Sequence, residues 1–363
     1  MKIVIAPDSF KGSASSRDIA QWIESGIQSV IPDCETVKIA IGDGGEGSLD
    51  AVLSAGFTAH EVEVLGPIGI SVTAQIAIKG ESAFIEMAQA SGLSQLPNGE
   101  KDALNASSFG TGQLILAALD KGATEIILAI GGTATTDAGA GALQALGAKL
   151  TDASGDELAP GGAALINCAA IDVSSLDPRL ADVSFTLASD VTNQLLGENG
   201  AARVFSPQKG ATPDQVEVLE QSLSHFASLV GGQHASAPGA GAAGGFGFMA
   251  YSFLNAKAQS GIDVILDLVD FDAQIAGADV IITGEGRFDS QSLRGKAPWG
   301  ILQRAEKLSI PTYLVCGDAD THQGSRFAGI YTLASIESDI EKCINNPAPL
   351  VTQLGASIAS LIQ

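Results

Sequence analysis

The chain is predicted to be an α/β protein of two α/β domains, and three observations predict it. At both ends short apolar, β-branched runs alternate with segments of helical period, as in a parallel sheet wound with helices. Between them lies a stretch with the period-2 alternation and Gly-Pro turns of antiparallel strands. The length of 363 residues suits about two domains at roughly 150 residues each. One parallel-sheet domain is therefore expected from both termini, residues 1–65 plus 276–363. A mixed α/β domain is expected as an insertion over 66–275, with the active site in a cleft between them.

The elements follow in order. Lys2–Ala6 reads as a strand, and Ser16–Val30 as a helix with Ile19, Ile23, Ile27 and Val30 on one face. Glu35–Ile41 is the second strand, and Leu49–Ala55 opens the next helix. Glu61–Leu65, Ser71–Ile78 and Ala83–Glu86 form the expected meander, with turns at Gly66-Pro67 and Lys79-Gly80. Gly112–Leu119 is helical, Thr124–Ile130 a strand, Ala138–Leu146 a helix and Phe185–Ser189 a strand. Thr212–Val230 is a long helix with His225 expected on its surface; the glycine- and alanine-rich Pro238–Gly247 that follows reads either as a close-packed turn or as a flexible loop at a ligand. Alternation returns with strand Val280–Thr283, helix Trp299–Leu308, strands Thr312–Val315 and Ile330–Leu333, and helix Leu350–Ile362.

Composition narrows the function. Apolar residues at 45% are ordinary for a folded protein, while 5% aromatics and 43 glycines suit close-packed layers with backbone-lined loops. A net charge of −22 argues against nucleic acid or an anionic membrane as partner. It also makes the few bases near candidate sites, Lys11, Lys209, Arg287 and Lys296, notable for any anionic substrate. Cys34, Cys168, Cys316 and Cys343 are widely spaced, so neither a disulfide framework nor a zinc site is expected, and Cys316 reads as a buried strand thiol. No signal peptide or membrane span is apparent, which predicts a cytoplasmic protein. Oligomeric state stays open, a homodimer included.

Four strands run into carboxylate-bearing, mostly glycine-rich stretches. They are Val37-Lys-Ile-Ala-Ile-Gly-Asp43-Gly-Gly-Glu46-Gly, Ile126-Ile-Leu-Ala-Ile-Gly-Gly-Thr133-Ala-Thr135-Thr136-Asp137, Phe185-Thr-Leu-Ala-Ser-Asp190 and Val280-Ile-Ile-Thr283-Gly-Glu285-Gly-Arg287-Phe-Asp289. Ligands of open α/β sheets bind beyond such strand ends, where backbone N–H groups face the crevice. Carboxylates there point to a metal ion or to hydroxyl and proton chemistry. Gly42–Gly47 also fits G-x-G-x-x-G, but Asp43 and Glu46 would repel a pyrophosphate unless a divalent cation intervenes. That weighs against a nicotinamide-dependent dehydrogenase. No P-loop, H-E-x-x-H or G-x-S-x-G occurs. Gly131–Asp137 offers hydroxyls and N–H groups for a phosphate cradle, against the plainer role of capping the next helix. Asp190 in Ser-Asp-Val-Thr-Asn193 fits an Asx turn equally well. A non-catalytic organic-acid sensor would be expected to carry an output segment, and no basic helix-turn-helix-like stretch is evident.

Taken in order, the motifs closely resemble the bacterial glycerate kinase family (type 1, glycerate 2-kinase-like). The stretches are Ile5-Ala-Pro-Asp-Ser-Phe-Lys-Gly12, Asp43-Gly-Gly-Glu-Gly47, Gly66-Pro-Ile-Gly69, Ile85-Glu-Met-Ala-Gln-Ala-Ser-Gly92, Gly110-Thr-Gly112, Gly131-Gly-Thr-Ala-Thr-Thr-Asp137, Asp177-Pro-Arg179, Phe205-Ser-Pro-Gln-Lys-Gly210, Gly239-Ala-Gly-Ala-Ala-Gly-Gly245 and Ile282-Thr-Gly-Glu-Gly-Arg287. Departures are mild: Gly42 for Ala, Ser48 for Thr, Thr133 for Ser, Thr136 for Asn, Ala138 for Gly and Ser206 for Gly. The resemblance implies a Rossmann- or flavodoxin-like domain with a second α/β domain. It also implies Mg2+·ATP as donor and D-glycerate as acceptor, most simply giving 2-phosphoglycerate, with 3-phosphoglycerate the alternative.

Phosphoryl transfer needs positioning and charge neutralisation, which assigns expected roles. Asp8, Asp43 and Glu46 are the candidate Mg2+ ligands. Gly131, Gly132, Thr133, Thr135 and Lys209 are expected to hold ATP phosphates. Ser9, Glu285, Arg287 and Lys296 are the candidate substrate contacts. Asp190 is the expected proton acceptor, with Asp137 second and Lys11 as a catalytic cation.

Overall fold

The structure is a computed structural model that describes residues 1–42, 47–290, 292, 296–320 and 326–363. Asp43 and Glu46 lie outside the described residues. The chain divides into two compact units. One gathers described residues 1–42, 50–56 and 260–363, the other 47–49 and 57–259.

The first unit is built on a parallel sheet of β1 (Lys2–Pro7), β2 (Glu35–Lys38), β11 (Val280–Phe288), β12 (Thr312–Ala319) and β13 (Gly329–Thr332), in the order β13-β12-β11-β1-β2. Its central strands are buried on both faces, so they read as continuous apolar runs such as Ile3-Val-Ile-Ala. Alternate side chains serve opposite faces. Ile3, Ile5, Ile282 and Val315 pack with Ile19, Ile23 and Ile27 of helix Ser16–Val30 and with Val351, Leu354 and Ile358 of helix Pro347–Ile362. Leu314 and Cys316 face the other way, against Leu302 of helix Ala297–Lys307. The two helices on the first face touch backbone to backbone: a Cβ at Gly26 would stand 2.1 Å from the Thr352 carbonyl oxygen.

The second unit holds a mixed sheet of β3 (Thr58–Leu65), β4 (Ser71–Lys79), β5 (Ser82–Glu86), β6 (Glu125–Ala129), β9 (Ser184–Ala188) and β10 (Lys257–Gln259), in the order β10-β9-β6-β5-β4-β3. A small antiparallel pair, β7 (Lys149–Thr151) and β8 (Ala170–Asp172), lies apart from it. The expected meander is present as β3-β4-β5, both pairings antiparallel, after which β5, β6, β9 and β10 run parallel. The carboxyl ends of β5, β6 and β9 therefore lie side by side on one edge, with Glu86 level with Ala129 and Ala129 with Ala188.

The units part earlier than the boundaries read from sequence at 65/66 and 275/276. The hairpin partner of β3 is β4, which fixes β3 in the second unit, and helices Gly261–Leu268 and Phe271–Ile275 belong to the first.

Three local readings change. Gly284–Phe288 is not a loop: β11 runs on beside β12 as far as the Phe288–Ala319 pair, and Gly284 gives the Val315 carbonyl room that a side chain would fill. His225 is half-buried, with Nε2 2.7 Å from the Cys168 carbonyl oxygen, because its helix packs over residues 162–168. The glycine- and alanine-rich segment ends in helix Ala242–Phe253, whose entry bends through Ala243, Gly244 and Gly245 at positive φ. All four cysteines are free, and Cys316 is buried in β12 as expected. Among the described residues no helix is long and apolar enough to cross a membrane.

Candidate active site

In the second unit, the stretch Gly131–Asp137 leaves β6 and is held on three sides. The Leu93 N–H donates to the Gly132 carbonyl (3.0 Å), the Ala134 N–H to the Ser91 carbonyl (2.9 Å), and the Ala138 N–H to the Gly244 carbonyl (3.0 Å). Gly244 is at φ 67°, and a Cβ there would be 2.0 Å from the Thr135 carbonyl oxygen, so that contact requires glycine. The motif Gly239–Gly245 is a backbone platform under this loop.

Asp137 closes the loop. It is fully buried, and its carboxylate accepts from the Ser108 N–H and hydroxyl (2.8 Å each), the Gly139 N–H (3.1 Å) and the Gly141 N–H (3.3 Å). Burial pushes its pKa up, against the opposing pull of those donors. A carboxylate so enclosed is committed to the loop's shape. Asp137→Asn puts an amide donor among N–H donors, at a cost of about 1–3 kcal/mol for each one left unpaired. Urea unfolding is expected to show a loss of at least ~2 kcal/mol; a near-neutral result would return Asp137 to the list of proton acceptors.

Lys209 comes from a short turn, Pro207–Lys209, stopped by Gly210 at φ 98°. Its ammonium is buried and donates to the Thr135 carbonyl (2.5 Å) and, at 3.4 Å, to the Thr133 hydroxyl. Burial pushes its pKa down to about 8, with Asp137 pulling the other way. A cavity of about 270 Å3 opens here, lined among others by Gly131, Gly132, Thr133, Val191, Gln208 and Lys209. Fixed N–H groups, a hydroxyl and a desolvated cation around one cavity are suited to an anion. Asp190 follows β9 on the same sheet edge, half-buried, next in sequence to the lining residue Val191. Thr135 and Thr136 place buried hydroxyls that have no partner among the described residues.

In the first unit, Asp8 and Ser9 follow β1, and the Asp8 N–H donates to the Gly284 carbonyl (2.8 Å) on the neighbouring β11. Asp8 is buried, Lys11 exposed, and Gly286 packs against the Phe10 and Lys11 backbone. Glu285 is 4% exposed; one oxygen accepts from Lys296 Nζ (3.0 Å), and Oε1 has no hydrogen-bond partner among the described residues. Burial pushes its carboxyl up, opposed by Ser292 and Lys296. Arg287 is exposed on the same strand. The sequence-derived candidates thus fall into two groups. Asp8, Ser9, Lys11, Glu285, Arg287 and Lys296 lie in the first unit; Gly131, Gly132, Thr133, Thr135, Asp137, Asp190 and Lys209 in the second. Ser108 and Glu86 were missed: Ser108 is an unremarkable serine in sequence, whereas Glu86 carried a signal as an acid at a strand end.

The fold and these strand-end groups define an α/β protein with one parallel and one mixed sheet, equipped for a small anionic ligand. Residues 3–363 match the model of the glycerate kinase family. The chain belongs to that family. It is 47% identical over 325 residues to glycerate 2-kinase of Escherichia coli (strain K12), covering 87% of this chain and 85% of the relative. It is 43% identical to glycerate kinase of Bacillus subtilis (strain 168), over all of this chain and 98% of that one. A crystal structure of a candidate glycerate kinase 2 from Salmonella typhimurium LT2 superposes with a TM-score of 0.86 at 42% identity, covering 100% of this chain and 98% of that one.

Proposed function

We propose that this protein transfers the γ-phosphoryl group of ATP to the 2-hydroxyl of D-glycerate, giving 2-phospho-D-glycerate. The observation that carries the reading is the Lys209 cavity, where a glycine loop and a buried ammonium converge in a chain of this family. The Escherichia coli relative, named for 2-kinase activity, supports the 2-position.

Gly131, Gly132, Thr133 and Thr135 present backbone and hydroxyl groups to the phosphates, and Lys209 offsets their charge. Asp190 accepts the proton of the glycerate hydroxyl as its oxygen attacks phosphorus. Arg287, Lys296, Lys11 and Ser9 bind the anionic substrate against the chain's acidic field, and Oε1 of Glu285, which has no hydrogen-bond partner among the described residues, accepts from one of its hydroxyls. Asp137 holds the loop.

Among the described residues no three potential ligands converge into a metal-binding group. Mg2+ does not require one, since it takes one or two carboxylates and keeps several waters. The donor set fits such a hard cation: Asp8 is a buried carboxylate at a strand end, and Asp43 and Glu46 complete the candidate ligands. When bound, the ion neutralises charge on the phosphate oxygens.

The test is to incubate the protein with Mg2+, ATP and D-glycerate and identify the product by phosphorus NMR. The expected product is 2-phosphoglycerate. 3-Phosphoglycerate would overturn the regiochemistry alone, and no ATP-dependent product would overturn the kinase reading.

A further inference from the structure

The Lys209 cavity has two kinds of wall. Gly131, Gly132 and Thr133 bring the backbone and hydroxyl of the loop after β6, and Lys209 brings its amine. Leu93, Ile130, Val191 and Phe205 supply apolar surface to the same cavity. At about 270 Å3 it lies below the roughly 300–1,000 Å3 of sites that enclose drug-sized molecules, so what it takes up whole is small. A phosphate joined to a short apolar group matches both walls.

Lys209 is also placed as a nucleophile. One N–H donates to the Thr135 carbonyl (2.5 Å) and one to the Thr133 hydroxyl (3.4 Å), which holds the nitrogen beside the loop. An ammonium has three donors, so losing one proton leaves both bonds in place and frees a lone pair. Burial favours that loss. With a pKa of about 8, about a tenth of Lys209 is the free amine at pH 7, far more than for a lysine at the ordinary 10.5. Desolvated lysines of this kind act as nucleophiles towards carbonyl carbon.

We propose that Lys209 is an acylation site for small acyl phosphates, which dock the phosphate on Gly131–Thr133 and the acyl chain on the apolar wall. The Nζ lone pair attacks the acyl carbon; an N–C bond forms and the C–O bond to phosphate breaks. The proton lost by nitrogen leaves on the phosphate, so an amine and an acyl phosphate become an amide and hydrogen phosphate. The amide is uncharged, and the cavity loses the cation that offsets bound phosphate. Acyl transfer needs only a cavity that holds phosphate; its effect on the enzyme rests on the kinase reading above.

Acetyl phosphate is the probe. The full chain is incubated with it, and acetylation of each lysine is followed over time by peptide mass spectrometry. Lys209 is expected to react at least ~10-fold faster than the exposed Lys121 and Lys257, because docking replaces a bimolecular encounter by a held one. Excess inorganic phosphate, competing for the loop, is expected to remove that advantage. With acetic anhydride, an acetyl donor that has no phosphate, the exposed lysines are expected to react first. Acetylation of Lys209 no faster than of Lys121 and Lys257 would overturn the proposal. So would a rate that phosphate does not slow, or an equal preference for Lys209 with acetic anhydride. Calorimetric titration of the acetylated protein with ATP separates the two readings: affinity is expected to fall to that of Lys209→Met. Acetylated Lys209 with unchanged ATP affinity would overturn the ATP role of the cavity and leave the modification site standing.

Discussion

Lys209→Met is expected to lower kcat/KM by about 10²–10³-fold, the scale on which losing one preorganised charge at a reacting group acts. Folding should change little. The variant removes an ammonium whose burial is unfavourable, but it also strips the Thr135 carbonyl of its donor, and the two effects oppose each other. A loss of activity paralleled by a comparable loss of melting temperature would mean that Lys209 merely supports the loop.

The same residue predicts a pH effect with a defined sign. With its pKa at about 8, Lys209 is charged at neutral pH and loses its proton as pH rises through about 8, so anion affinity falls across that range. Stability of the ligand-free protein moves oppositely. Between about 8 and the ordinary 10.5 the unfolded chain binds more protons at this lysine than the folded one, so its contribution to stability rises with pH. Lys209→Met should abolish both trends. Calorimetric titration with ATP and urea unfolding across this window provide the check.

Asp190→Asn is the second large effect expected, a fall in kcat of about 10²–10⁴-fold, the range for removing a positioned general base. ATP affinity should stay within about threefold, because an interaction made only in the transition state does not contribute to ground-state binding. Near wild-type turnover would exclude Asp190 as the proton acceptor. A matched loss of kcat and ATP affinity would place it among the ATP contacts instead.

Particular residues show why some of this was legible in the sequence. Helix Ser16–Val30 was readable because its apolar stripe has one period, and the structure gives it those same limits. The meander was readable from alternation and two turns. β11 was misread because two glycines in Thr283–Arg287 signal a loop locally, while the use of Gly284, close approach of the Val315 carbonyl, depends on a neighbouring strand. Ala138 is a similar case. It stands where the family resemblance expects glycine, and the structure holds it at φ 51°, a left-handed conformation that glycine adopts without strain.

The α/β class and, through the motifs, the family can be read from the order of residues alone. Those properties are written in local periodicity and in the residue types of single loops. What each polar group faces follows from packing between distant parts of the chain. That packing enclosed Asp137 among four donors, buried Lys209 against Thr135, left one oxygen of Glu285 without a partner among the described residues, and joined Glu86 to Leu49. Hydrogen-bond partners and desolvation come from residues distant in the chain, and these set the charge and the available lone pairs of a carboxylate or an ammonium.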